Sequence, residues 1–178
     1  MPIDNHVPLV SGRKPSGFGT SGAAGLNIRG ASTAEGAQVI YFPYEDQTGG
    51  SFQDNELFEL RASGEKSGGA DYVYIIAKNS GMAVTAPLSG KAGDQVVQAI
   101  LAGAENQKWL QFSPNGGNGL IFKDKRSGLV LDASLSSNDS SFLPVIVWPE
   151  NDGDNQLWFF SFQADQRGGL KTFSPPSG

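Results

Sequence analysis

Three segments ending in a large aromatic residue recur along this chain at nearly constant spacing. Asn106-Gln107-Lys108-Trp109 and Asn155-Gln156-Leu157-Trp158 share the pattern Asn-Gln-x-Trp, and Asn55-Glu56-Leu57-Phe58 is an eroded copy. Phe58 and Trp109 lie 51 positions apart, and Trp109 and Trp158 lie 49 apart. A fixed period of this length marks a fold of stacked supersecondary units and constrains architecture more than any local propensity does. The chain reads as a threefold repeat.

Each copy carries short apolar runs separated by Gly, Ser, Asn or Asp. The third is the clearest: Leu120–Asp124, Ser127–Asp132, Val145–Pro149, then Asn155–Trp158. The second runs Val73–Ile76, Ser80–Thr85, Val97–Ile100 and Asn106–Trp109; the first runs Ser21 to Asn27, Val39–Pro43 and Asn55–Phe58. Short runs rich in β-branched and aromatic residues, with turn chemistry between them, predict strands. The Ser-Gly pairs predict hairpin tips, where glycine takes positive φ without strain. Val96–Ala104 contains helix-favouring Ala and Leu, but its register with Val39–Phe42 and Val145–Trp148 favours a strand. Four strands in three copies predict an all-β, barrel-like closure that removes most free sheet edges. A first strand is expected near Val7–Val10. Residues 163–178 read as a polar tail, pinned at most through Leu170 and Phe173.

Composition narrows the chemistry. The 178 residues fit one domain large enough to stabilise a core without staples. Cysteine is absent, which excludes disulfides, thiolate nucleophiles and Cys-ligated zinc. A net charge of −5 disfavours nucleic acid and anionic membrane surfaces as partners. Met1–His6 shows no basic patch leading into an apolar run, and no apolar stretch approaches a bilayer span. Synthesis in the cytoplasm without a signal peptide is expected, and any release would follow a non-classical route.

The repeated Asn-Gln-x-Trp signature, its period, and Leu131-Asp132 about 25 residues ahead of Gln156 resemble the ricin B-chain-like lectins. The resemblance covers residues 7 to 162. It implies a β-trefoil of three four-stranded repeats with pseudo-threefold symmetry, over about 7–60, 70–112 and 118–162, in a single domain of residues 1–162. It also implies a non-enzymatic lectin for galactose- or GalNAc-type glycans, of the kind that agglutinates red cells, with no cofactor. By the same resemblance Asp132 accepts hydrogen bonds from two sugar hydroxyls, Trp148 stacks on the sugar's apolar face and Asn155 adds a polar contact. Gln156 then positions the carboxylate, and Trp158 belongs to the core. Family members often carry Gln two residues before the ring, where this chain has Ile146.

Side-chain alternation gives an independent expectation, because successive strand residues face opposite sides. If Val145 and Val147 point inward, Ile146 and Trp148 point outward together, beside an outward carboxylate. The same parity buries Val39 with Tyr41 and Val97 with Ala99, and exposes Ile40 with Phe42 and Gln98 with Ile100. In the signature it puts Gln156 and Trp158 on one face and Asn155 on the other. The second repeat keeps Gln98 but offers Thr85 and Ile100 in place of carboxylate and ring, so it is read as inactive. The first offers Asn27, Phe42 (with Tyr44 nearby) and Asn55, a weaker second site, with Glu56 where the others have Gln.

Plainer readings compete with these. Trp148 could cover the barrel rim and Asp132 could cap a turn. Glu150–Asp154 is acidic but lacks the alternating ligands of a calcium loop, so a tight turn and no metal are expected. Asn138-Asp139-Ser140 is a glycosylation sequon that, without secretion, is only a turn. The single histidine, His6, lies in a terminal segment, leaving a serine nucleophile without a base. One shallow site implies weak binding, so dimerisation is expected to supply avidity. The rival function is a trefoil protease inhibitor acting through surface loops, with the Gly-rich first repeat and Asp46–Asp54 as candidates.

Overall fold

Twelve strands fall into three sets of four in the computed structural model, which describes residues 5–12, 24–44, 52–117, 119–134, 142–164 and 170–172. The first set is β1 (Leu9–Ser11), β2 (Ala24–Ile28), β3 (Val39–Pro43) and β4 (Phe58–Ser67). The second is β5 (Ala70–Ala77), β6 (Ala83–Thr85), β7 (Val97–Ala99) and β8 (Trp109–Phe112). The third is β9 (Ile121–Asp124), β10 (Val130–Ala133), β11 (Leu143–Trp148) and β12 (Trp158–Ala164). This is the β-trefoil that the resemblance implied. Within the stretch Val96–Ala104, Val97–Ala99 forms a strand and no part is helical.

Antiparallel pairing of β4 with β5, β5 with β8, β8 with β9 and β1 with β12 builds a barrel. Single bridges, Val7 to Phe58 and Leu120 to Trp158, complete the ring. The hairpins β2–β3, β6–β7 and β10–β11 meet one another around the pseudo-threefold axis. There Val39 N–H donates to Val96 O at 3.0 Å and Val96 N–H to Val145 O at 2.9 Å. The Gln95 carboxamide lies 2.6, 3.0 and 2.9 Å from the carbonyls of Val39, Val96 and Val145, so one side chain serves all three hairpins. Phe58, Trp109 and Trp158 are fully buried in the barrel. The two indoles donate equivalently, Trp109 to Val84 O at 2.9 Å and Trp158 to Leu131 O at 3.1 Å.

The hairpin tips behave as their chemistry requires. Gly81 and Gly128 have φ of +70° and +75°, which only glycine adopts cheaply. Each donates back across its turn at 2.8 Å, to Ala77 O and Asp124 O. The first strand begins at Leu9, two residues later than Val7, which contributes only the bridge to Phe58. Beyond β12, Leu170–Thr172 adds β13, antiparallel to Ser161–Ala164. Phe173, residues 45–51 and the sequon Asn138-Asp139-Ser140 lie outside the described residues.

Parity holds in the third repeat and fails in the second. Val145 and Val147 are sealed inside, Ile146 is half-buried and Trp148 is 41% exposed. In β7, however, Val96 and Gln98 are sealed while Val97 and Ala99 are half-buried, one residue out of the expected register. Cross-strand partners explain the shift. Gln98 pairs with Val84 as Val147 pairs with Leu131, so Gln98 occupies an inward position. Its carboxamide is satisfied there by Ser80 Oγ and by the carbonyls of Ser32 and Ala34. In the first repeat Val39 and Tyr41 are sealed as expected, but Ile40 is buried too.

Candidate functional site

Residues Asp154–Gln156 form a 3-10 turn that leads into β12, so strand alternation does not apply to the signature. Asn155 and Gln156 therefore do not take opposite sides. Both carboxamides converge on Asp132: Asn155 Nδ2 donates to Oδ1 at 2.8 Å and Gln156 Nε2 to Oδ2 at 2.9 Å. Gln156 also donates to Pro149 O at 2.9 Å and accepts from Asn151 N–H at 2.9 Å. One glutamine thus ties β10, the end of β11 and the loop that follows it. Asn155 adds a longer contact to Ala133 O at 3.3 Å.

The carboxylate is consequently less open than alternation alone implied. Asp132 is 3% exposed, and Asn155 and Gln156 are buried beside it. A buried carboxylate persists when hydrogen bonds replace its hydration, and two amide donors fix its orientation. Register places Asp132 opposite Ile146 and Val130 opposite Trp148. Paired residues share a face, so Asp132, Ile146 and Trp148 line one side of the β10–β11 hairpin. Carboxylate and indole thus lie on one face, offset by two residues across the hairpin, and Trp148 is 41% exposed.

Two further features flank this surface. Lys123 pairs with Val130 on the far side from Trp148, and its ammonium meets Glu150 at 2.8 Å. Asp152, in the loop between ring and signature, takes φ of +60°, a conformation that Asp tolerates better than most residues. Among the described residues, no cluster of three His, Cys, Asp or Glu side chains is placed to hold a metal ion.

The other repeats keep the frame and change the lining. In the second, Gln107 donates to Thr85 Oγ1 at 3.3 Å and Ile100 O at 2.9 Å, and accepts from Ala102 N–H at 2.9 Å. Ile100 thus stands where Pro149 stands, and the residue at the ring position is Ala99, not Ile100. Val97, not Gln98, occupies the position of Ile146. The signal was available: Val96 precedes Trp109 by as many residues as Val145 precedes Trp158. In the first repeat Asn55 Nδ2 donates to Asn27 Oδ1 at 3.1 Å and to Ile28 O at 3.0 Å, and Phe42 is half-buried. Tyr44, in the place of Glu150, folds over Gly25, where a Cβ would lie 2.1 Å from its hydroxyl. Burial, then Glu56 and Tyr41, push that phenol well above its ordinary pKa.

Comparison with known proteins agrees with this architecture. A family model described as a ricin-type β-trefoil lectin domain-like family matches residues 54–148. No curated protein sequence matches the chain significantly. Among solved structures, the designed threefold-symmetric protein ThreeFoil is 26% identical with a TM-score of 0.67, covering 87% of this chain and 96% of that one. An exo-β-1,3-galactanase from Clostridium thermocellum is 20% identical with a TM-score of 0.66; the match spans 89% of this chain but only 30% of the enzyme. The C-half of an earthworm R-type lectin, solved in complex with GalNAc, is 15% identical with a TM-score of 0.55, covering 96% and 100% of the two chains. At such identities the last two likenesses establish the fold.

Proposed function

Because this chain belongs to the ricin-type β-trefoil lectin-like domains, we propose that it is a non-enzymatic lectin. Its ligand in this reading is a galactose- or GalNAc-type glycan, held on the third repeat by Asp132, Trp148 and Asn155. Gln156 orients the carboxylate, and Ile146 supplies an apolar floor. The observation that carries the reading is the pairing of a pre-oriented buried carboxylate with an indole left 41% exposed on the same face.

The chemistry suits a sugar and needs no catalyst. A carboxylate accepts from adjacent hydroxyls, while the C–H face of a galactose-type ring lies flat on an indole. A few convergent polar groups beside an apolar wall are the usual make-up of a small-ligand site. Replacing Gln by Ile146 removes one hydrogen-bonding side chain and shifts the balance toward stacking. The second repeat, with Thr85 and Ala99, lacks both anchors. The first, with Asn27, Phe42 and Asn55, keeps neutral versions of them and is a weaker site. One such shallow site binds weakly, so a homodimer would supply avidity.

A glycan array probed with the wild type and with Asp132→Asn tests the reading. Galactose- and GalNAc-terminated spots should bind the wild type and fade with the variant. Identical spots from both proteins would remove the third repeat from the account. A blank array with the wild type would remove the lectin itself.

A further inference from the structure

We propose that Gly93, in the loop joining β6 to β7, positions the Trp148 indole, so that two repeats build the sugar-stacking surface of the third. The proposal rests on the carbohydrate-binding reading for its functional consequence, but its geometry stands independently. Gly93 N–H donates to Val147 O at 2.8 Å, and Val147 N–H donates to Asp94 O at 3.2 Å. These two bonds clamp the backbone immediately before the ring. A Cβ on Gly93 would lie 3.5 Å from Trp148 Cζ3, so the bare backbone of this glycine faces the six-membered edge of the indole.

The loop is built firmly enough to act as a stop. Ser89 Oγ bonds to the Asp94 carboxylate and receives Lys91 N–H at 3.2 Å. Gly90 N–H donates to Pro87 O at 3.3 Å, and the Arg126 guanidinium donates to Leu88 O, tying the loop to the β9–β10 turn. An exposed tryptophan without such a stop would sample several rotamers, and ordering it on ligand would cost affinity. The second repeat has neither ring nor carboxylate of its own at Ala99 and Thr85. Its loop serves the neighbour instead.

Gly93→Asn tests the assignment, with Gly90→Asn as control. Both glycines have positive φ: Gly90, at +62°, lies in the left-handed region that Asn tolerates better than most residues, and Gly93, at +93°, lies just beyond it, so Asn is the least strained replacement at both. At Gly93 the new Cβ already reaches van der Waals contact with the indole at 3.5 Å and the carboxamide extends beyond it, whereas at Gly90 a Cβ meets only Ser127 Cβ, at 3.8 Å. Trp148 is the exposed one of the three tryptophans, since Trp109 and Trp158 are sealed, so acrylamide quenching of fluorescence reads its position in the free protein. Gly93→Asn should raise quenching and weaken lactose binding several-fold, while Gly90→Asn changes neither, although both lower the melting temperature. Unchanged quenching in Gly93→Asn, or an equal change in Gly90→Asn, would overturn the proposal. If the wild type ignores lactose, the carbohydrate reading fails, and quenching alone decides the positioning role.

Discussion

A carboxylate left only 3% exposed needs nearby donors to take over the work of water, and at Asp132 two carboxamides do so. That makes Gln156 the residue whose loss should be felt most. Gln156→Ala removes donors from Asp132 and Pro149 and the acceptor of Asn151 N–H together. Hydrogen bonds to a charged group contribute about 1.5–3 kcal/mol, so urea melts should show a loss of about 2–4 kcal/mol. Gln107→Ala is the internal comparison. Its partner is the neutral Thr85 hydroxyl at 3.3 Å, and the loss should be smaller, about 1–2 kcal/mol. Equal losses would mean that the Asp132 charge adds nothing to the frame.

Elements explain which parts of this design were legible beforehand. The period of the aromatic-ended segments revealed a threefold repeat because Phe58, Trp109 and Trp158 return to the same barrel position, and the resemblance turned that repeat into a trefoil. Val145 to Trp148 was readable by alternation, since both inward residues are valines. The strand Val97–Ala99 was not, because a buried Gln98 imitates an exposed residue to any hydrophobicity pattern. Its partners, Ser80 Oγ and the carbonyls of Ser32 and Ala34, come from other turns and cannot be anticipated from β7. Alternation alone also hid the convergence of Asn155 and Gln156, because a 3-10 turn cancels the two-residue period. Gly93 gave no signal, being one glycine among 24. Gln98→Ala should therefore cost about 1–3 kcal/mol by orphaning those groups, while leaving glycan binding unchanged. Thermal melts and array binding of the same variant check both halves.

Across the whole molecule, the repeats are joined by charge as well as by the core. Glu65, on the long β4–β5 hairpin, meets Lys108 and Lys125 at 2.5 Å each. Hydrogen bonds from Lys108 and then Lys125 pull its carboxyl down to about 2. A folded pKa below the unfolded value stabilises at pH above the unfolded value and loses that contribution as pH falls. Glu65→Gln should therefore melt below the wild type at neutral pH, with the gap closing between about 4.5 and 2. Because the group is 40% exposed, high salt should narrow the gap as well. The account as a whole depends on where a galactose-type sugar lands. Titrating lactose into isotopically labelled protein, while following the three indole N–H signals and the side-chain amides, answers that directly. The Trp148, Asn155 and Gln156 signals should move together while Trp109 and Trp158 stay fixed. Shifts confined to other repeats, or none at saturating lactose, would contradict it.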